Sequence, residues 1–179
     1  DRCLGALLRR NRHFGGRDRR LLSETVFACL RWWGWIEPLA PSVFLKAVAA
    51  TDPGYDPGPR PAIDPWQWAL LLTAAHALEG GDMPAAVQLW AQRANLPDIT
   101  AGPRPADASL AATRARLGAL VGNADLPALE ALLPTWVPEH LAACPRPYIE
   151  VLEWQQRRPP LWLRTQTDDL EALCEELTR

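Results

Sequence analysis

The chain has little of the chemistry that most enzyme and metal sites use. Its 179 residues include one lysine, three histidines and four cysteines, and no two cysteines form a Cys-x-x-Cys pair. Such dispersed residues give neither a zinc site nor a disulfide framework, so the sequence predicts no metal. No apolar run approaches the roughly 20 residues that cross a bilayer, and no signal peptide precedes the first helical segment. We therefore expect a cytoplasmic protein with no membrane contact.

Phenylalanine and tyrosine are also scarce, at three and two residues, whereas tryptophan occurs nine times. Apolar residues make up 48% of the chain, which is enough for the core of one domain, or of one domain with part of another. Cys29 lies on an apolar stripe and His76 in an apolar run, and we expect both to be core residues. The chain opens inside a helical pattern, and we expect it to be a piece of a longer protein.

Positive charge is concentrated at the start of the chain. Eight of the 18 arginines lie within residues 1–36, against three acidic residues, so this end carries a net charge of +5 and the remainder −7. A basic end on an otherwise acidic protein indicates a surface for a polyanion. Guanidinium groups suit forked contacts to phosphate, although a GC-rich genome also enriches arginine.

Helical periodicity extends through the first 145 residues, with no strand-like alternation. Gly15 and Gly16 end the first helix, and two segments rich in proline and glycine, 51–65 and 95–105, are typical of loops. Asp64-Pro65 is typical of a helix start, and Asp107 or Ser109 is a candidate cap for a later helix. The sequence thus predicts an all-α bundle over residues 1–145, with helices at 17–36, 42–50, 65–78, 84–94, 109–121 and 126–133.

The second predicted helix carries two kinds of apolar residue. Its inward stripe is predicted to hold Leu22, Val26, Cys29, Leu30 and Trp33. Beyond Ala28 the helix is apolar on nearly every side, which is typical of a buried helix end. Trp32 and Trp35 belong to that end, and we expect them to pack between domains rather than to stack on bases.

The pattern changes after residue 145. A short helix is predicted at 148–156, followed by an alternating strand at 161–165 and an acidic helix at 170–177. A lone strand and helix cannot bury their own faces. We therefore interpret residues 146–179 as a linker helix followed by the start of a truncated second domain, whose strand edge invites pairing with another copy.

Three blocks of this sequence resemble one family. Gly16-Arg17-Asp18-Arg19-Arg20, with Val26 and Arg31-Trp32 after it, is similar to the signature of the N-terminal NusB-like domain of bacterial ribosomal RNA cytosine-5 methyltransferases of the Fmu/Sun type. Leu133-Pro134-Thr135-Trp136-Val137 and Arg158-Pro159-Pro160-Leu161-Trp162-Leu163-Arg164 resemble two further segments of that family, in the same order. The family continues with Val-Asn, where this chain has Thr165-Gln166.

The resemblance implies a NusB-like helical bundle followed by the first strand and helix of an RRM-like domain. It also implies that the intact protein transfers a methyl group from S-adenosylmethionine to C5 of a cytosine in small-subunit ribosomal RNA. The family's two catalytic cysteines lie in Pro-Cys and Thr-Cys motifs, which this sequence lacks, since Cys144-Pro145 has the reverse order. We therefore expect this fragment to be non-catalytic and to bind no cofactor. Its expected partners are ribosomal RNA and the protein's own C-terminal catalytic domain.

Arginines that face away from the leucines of the first helix are the candidate RNA contacts, together with those near the domain junction. We expect Asp18 and Arg31 to act in a cap or an ion pair, and Trp32 and Trp35 to be structural. The arginines assigned to RNA are Arg9, Arg10, Arg12, Arg17, Arg20, Arg157, Arg158 and Arg164.

Two other functions fit the sequence. The chain resembles a non-enzymatic NusB-like factor for transcription antitermination, although the strand and acidic helix after residue 145 count against it. It could also be a helical protein-interaction scaffold that uses Trp32 and Trp35. A Pro-Cys motif and a glycine-rich loop encoded downstream of Arg179 would favour the methyltransferase.

Overall fold

A computed structural model describes residues 2–49, 63–80, 82–97, 109–122, 126–141, 144–157, 171 and 175. Throughout these ranges the chain is helical and has no strand, which confirms the all-α prediction. Three 3-10 turns, at Glu37–Leu39, Pro65–Trp68 and Leu129–Leu132, join or precede the helices. The α-helices are α1 (Arg2–Arg10), α2 (Gly16–Ile36), α3 (Ser42–Ala49), α4 (Ala69–Glu79), α5 (Ala85–Arg93), α6 (Leu110–Val121), α7 (Val137–Leu141) and α8 (Tyr148–Gln155).

Short polar and glycine signals set the helix ends where the sequence indicates them. The Asp64 carboxylate accepts a hydrogen bond from the Trp66 amide at 3.0 Å, and Pro65 follows it. The Ser109 hydroxyl accepts one from the Ala112 amide at 3.2 Å, so Ser109 is the cap of α6. Gly122, with φ of 76°, ends α6 in the left-handed region that glycine adopts without strain.

Helix α4 forms the centre of the fold and packs against α2, α5 and α6. Its side chains are buried on nearly every side, from Leu71 to Leu78. The core also contains the C-terminal part of α2, one face of α6, the turn before α7, and Leu152 of α8. Residues 148–155, which the sequence assigns to the linker, therefore contribute to the same core as the preceding helices.

The predicted inward stripe of α2 is wrong. The buried face instead carries Thr25, Ala28, Trp32, Trp35 and Ile36. Within the predicted stripe, Val26 and Leu30 are exposed, and Leu22, Cys29 and Trp33 are half-buried. The buried face combines the small Thr25 and Ala28 with two indoles and an isoleucine, so the size of the apolar side chains does not decide which face is buried.

Helix α1 has the predicted amphipathic pattern but is little buried. Leu4 and Leu8 are half-buried, whereas Cys3 and Leu7 are exposed. The leucine side of α1 thus does not enter the core that α2, α4 and α6 form. Its arginines, on the other side, are exposed as well.

In the C-terminal part, some predicted elements differ from the structure and others lie outside the described residues. Helix α7 was not predicted, and only a four-residue 3-10 turn forms within the predicted helix 126–133. The predicted strand at 161–165 lies outside the described residues. Of the predicted helix 170–177, the structure describes Glu171 and Glu175, and both are helical. None of the helices in the described ranges is long and apolar enough to cross a membrane.

Gly34 provides a test of the packing of α2 against the turn that precedes α7. A Cβ atom at this position would collide with the backbone carbonyl of Ala131, whereas one at Gly16, on the same helix, would meet nothing within 4 Å. We expect Gly34→Ala to lower the free energy of unfolding by about 3 kcal/mol, because backbone must move to admit the methyl group. Gly16→Ala is the control, with an expected change within about 1 kcal/mol. Equal urea midpoints for the two variants would contradict this packing.

Candidate nucleic-acid interface

Four arginines form an exposed cluster around the corner between α1 and α2, which we call the arginine corner. Arg9 and Arg10 lie in the last turn of α1, Arg12 in the connecting turn, and Arg17 in the first turn of α2. All four are exposed, and among the described residues none has an acidic group within 4 Å. The corner therefore carries four guanidinium groups that form no ion pair with the described part of the chain.

Hydrogen bonds to the backbone hold this corner in place. The Arg19 guanidinium donates to the carbonyl oxygens of Phe14 at 2.9 Å and Asn11 at 3.3 Å. The Asp18 carboxylate accepts a hydrogen bond from the Gly15 amide at 3.0 Å and also complements the dipole of α2. Arg19 and Asp18 thus fix the turn, and the turn sets the relative positions of the exposed arginines.

Arg20 differs from the arginine corner because it has a carboxylate partner. Its Nε atom donates to Glu24 Oε1 at 3.0 Å, one turn along α2. The Arg20 side chain is 80% exposed and that of Glu24 30%, and such surface pairs contribute at most about 1 kcal/mol. A phosphate can therefore compete with Glu24 for Arg20.

The arginines near the domain junction are described only in part. Arg157 is exposed directly after α8, where its amide donates to the Trp154 carbonyl at 3.2 Å. Arg158 and Arg164 lie outside the described residues. The structure thus shows one accessible cation of the three that the sequence assigned to this region.

Arg31, Trp32 and Trp35 lie in the interior of the fold. Arg31 Nη1 donates to Glu79 Oε1 at 2.5 Å, and Trp32 Nε1 donates to the same oxygen at 3.2 Å. Trp35 Nε1 donates to the Ala128 carbonyl at 3.0 Å. Trp32 is 0% exposed and Trp35 1%. These indoles pack inside the described bundle, so the expected packing between domains is not what buries them.

The dispersed histidines and cysteines form no metal site in the described ranges, where no three candidate ligands come together. His76 is buried, and its Nε2 atom lies 2.8 Å from the Thr25 hydroxyl oxygen. Burial raises the pKa of the Cys29 thiol to about 11, so this cysteine stays protonated and unreactive near neutral pH.

Other arginines have structural roles that the sequence did not indicate. Arg114 on α6 donates to the carbonyl oxygens of Pro127 at 2.9 Å and Leu126 at 2.6 Å. Arg116 donates to the Ala77 carbonyl near the end of α4. No local sequence signal separates these residues from the exposed arginines, because their acceptors are backbone atoms of distant segments.

Comparison of Glu79 with Glu24 tests how much the buried ion pair contributes. The Glu79 side chain is 3% exposed and that of Arg31 16%, so loss of the carboxylate charge leaves a largely buried guanidinium without its counter-ion. We expect Glu79→Gln to lower the free energy of unfolding by about 3 kcal/mol. Glu24→Gln, which breaks the exposed pair with Arg20, should cost at most about 1 kcal/mol. Similar losses for both variants in urea unfolding would contradict the special role of Glu79.

Comparison of the chain with known proteins adds no support for this interface. No family model, no curated protein and no solved structure matches the chain. The assignment of the arginine corner therefore rests on its charge, its exposure and its geometry.

Proposed function

We propose that this chain is the RNA-binding N-terminal region of an S-adenosylmethionine-dependent ribosomal RNA cytosine-5 methyltransferase. The observation that carries the proposal is the arginine corner, because its four exposed cations have no carboxylate partner among the described residues. Arginine side chains of this kind contact phosphate by charge and by forked hydrogen bonds. The remainder of the chain is acidic, so a polyanion is attracted to the corner and repelled by the rest of the surface.

The sequence blocks support the choice of methyltransferase among RNA-binding proteins. The first of these blocks, residues 16–20, includes an exposed arginine of the corner and the two residues that hold its turn. Arg17 is exposed, while Asp18 and Arg19 hydrogen-bond to the backbone of the turn. The all-helical character of the described residues is consistent with a NusB-like bundle. In this proposal residues 146–179 lead into an RRM-like domain and then into the catalytic domain.

In this proposal the chain positions RNA and takes no chemical step itself. Methyl transfer would use S-adenosylmethionine and two cysteines of the C-terminal domain, neither of which this sequence supplies. Of its own cysteines, Cys29 is held in the protonated form by burial. The contribution of this region would be to raise the local concentration of ribosomal RNA near that domain.

The proposal predicts that RNA affinity depends on the corner and on salt. Arg9→Glu/Arg10→Glu should weaken binding of a ribosomal RNA hairpin by at least about tenfold at 50 mM salt. The plot of log affinity against log salt falls with salt, and its slope should become shallower by about 1.5. The measurement is fluorescence anisotropy over a series of salt concentrations. Reduced affinity with a smaller slope would identify direct phosphate contacts.

Lys46→Glu/Arg146→Glu is the control, because it changes the net charge by the same amount at two other exposed cations, of which Arg146 lies 3.8 Å from Glu150 in an exposed ion pair. We expect this control to bind the hairpin within about twofold of the unmodified chain, since long-range charge effects are screened beyond roughly 10 Å at 0.1 M salt. If the two double variants lost affinity equally, net charge alone would account for binding and the corner would have no special role.

A second candidate function is that of a protein-interaction scaffold, which the outward face of α2 favours. Val26, Phe27 and Leu30 are exposed together on this face, and Leu30 is 65% exposed. Trp32 and Trp35, on which the sequence-based form of this hypothesis relied, are buried and offer no surface. The outward face could equally contact the catalytic domain of the proposed methyltransferase.

Leu30→Asp separates protein binding from RNA binding. The substitution places a charge on an exposed position, so the free energy of unfolding should change by no more than about 0.5 kcal/mol. We expect RNA affinity to stay within twofold and binding of the catalytic domain, added as a separate chain, to weaken at least tenfold. If Leu30→Asp instead abolished RNA binding, this face and the corner would form one surface.

A further inference from the structure

A cleft of about 270 Å³ opens beside the 3-10 turn Pro65–Trp68, away from the arginine corner. Three indoles line it, from Trp66, Trp68 and Trp90, and the 3-10 turn, α4 and α5 supply its walls. Its remaining lining residues are Pro65, Ala69 and Leu72. Trp68 and Leu72 also pack against the core, whereas Trp66 is 44% exposed.

Aromatic contacts support the inner wall of the cleft. The Trp68 ring meets the Phe44 ring edge-on at 4.9 Å, and Phe44 in turn meets the Trp33 ring at 6.3 Å. The Asp64 cap fixes the start of the turn that carries Trp66. The cleft is therefore preformed, which lowers the entropy lost when a flat ligand binds.

One cation lies at the rim of this cleft. The Arg93 guanidinium is 5.4 Å from the centre of the Trp66 ring. Arg93 is exposed, and no described acidic group lies within 4 Å of it. The Asp64 carboxylate accepts a hydrogen bond from the Trp66 amide but makes no ion pair with Arg93. An apolar aromatic floor with a cation at its edge suits a ligand that combines a flat ring with a negative charge.

We propose that the cleft binds one unpaired nucleotide of the RNA, with its base stacked on the indoles and a flanking phosphate on Arg93. This inference rests on the proposed function and extends it by naming single-stranded RNA as the ligand of a second site. At about 270 Å³ the cleft lies just below the roughly 300–1,000 Å³ of pockets for drug-sized ligands, so it suits one base rather than several. Stacking on aromatic side chains tolerates any base, because every base has a π-face.

The arginine corner and the cleft connect to different ends of α2. The aromatic chain joins the cleft to Trp33, which lies 16 residues beyond Arg17 on α2. At 1.5 Å per residue the two positions are roughly 24 Å apart along the helix axis. We expect a hairpin with a single-stranded tail to contact both sites, and a blunt hairpin to contact only the corner.

A proline-rich peptide is the competing occupant. Gly-Pro-Arg-Pro-Ala occurs twice in this sequence, at residues 58–62 and 102–106, and Pro-Arg-Pro recurs at 145–147. Proline-rich peptide ligands in general dock in aromatic grooves in the polyproline II conformation. Each of these segments of the chain carries an arginine, however, and Arg93 at the rim repels a cationic ligand. Charge therefore favours the nucleotide.

The experiment compares two RNA probes on the full chain, a blunt ribosomal RNA hairpin and the same hairpin with a tail of roughly eight nucleotides. We expect the tail to increase affinity about tenfold in fluorescence anisotropy. Trp66→Ala and Arg93→Gln should each remove most of this gain and leave the blunt hairpin unaffected. Trp66→Phe should retain most of the gain, because a smaller ring still stacks, and Trp154→Ala, at an exposed indole outside the cleft, should retain all of it.

The possible outcomes separate this inference from the proposed function. If both probes bind equally and Trp66→Ala changes neither, the inference is overturned while the RNA-binding role of the corner stands. If neither RNA binds, both proposals fail. Trp66-dependent binding of a synthetic Gly-Pro-Arg-Pro-Ala peptide, with no gain from the tail, would overturn the nucleotide assignment in favour of a peptide groove. Circular dichroism melting of each variant shows that a loss of affinity is not a loss of fold.

Discussion

The contact between α2 and α4 at the Glu79 carboxylate is the constraint on which the rest of the structure depends. One oxygen of this carboxylate accepts hydrogen bonds from Arg31 and from the Trp32 indole, and thereby fixes the rotation of α2 about its axis. That rotation buries Trp32 and Trp35 and turns Val26 and Leu30 outward. A buried pair of this kind adds little net stability but strongly penalises arrangements that leave one charge unpaired.

Most helix positions could be predicted from the sequence, because they depend on local signals, although α7 and the 3-10 turn at Leu129–Leu132 were not. Asp64 and Ser109 mark helix starts through their own side chains, and both act where the pattern indicates. The buried face of α2 could not be predicted in the same way. Ala28 is buried and Leu30 exposed, because the contacts of Arg31 and Trp32 with Glu79, a residue distant in sequence, turn Leu30 outward.

In the candidate site, too, the features that depend on neighbouring residues could be predicted, and those that depend on residues brought together by folding could not. The exposed cluster of Arg9, Arg10, Arg12 and Arg17 follows from local charge and helical periodicity, and the structure leaves it uncovered. The sequence alone does not distinguish these exposed arginines from Arg19 and Arg114, which have structural roles. Those two side chains donate hydrogen bonds to backbone carbonyl oxygens that only the folded chain brings within reach. The tryptophan cleft was missed for the same reason, since its indoles come from two segments of the chain.

Arginine side-chain NMR provides the most direct test of the central claim that the corner between α1 and α2 binds RNA. The Nε–H signals report on each guanidinium separately, and a phosphate contact shifts them and slows their exchange with water. When a ribosomal RNA hairpin is titrated into the chain, we expect shifts for Arg9, Arg10, Arg12 and Arg17, with Arg31 unchanged at Glu79. Unchanged signals from all four exposed arginines at saturating RNA would contradict it.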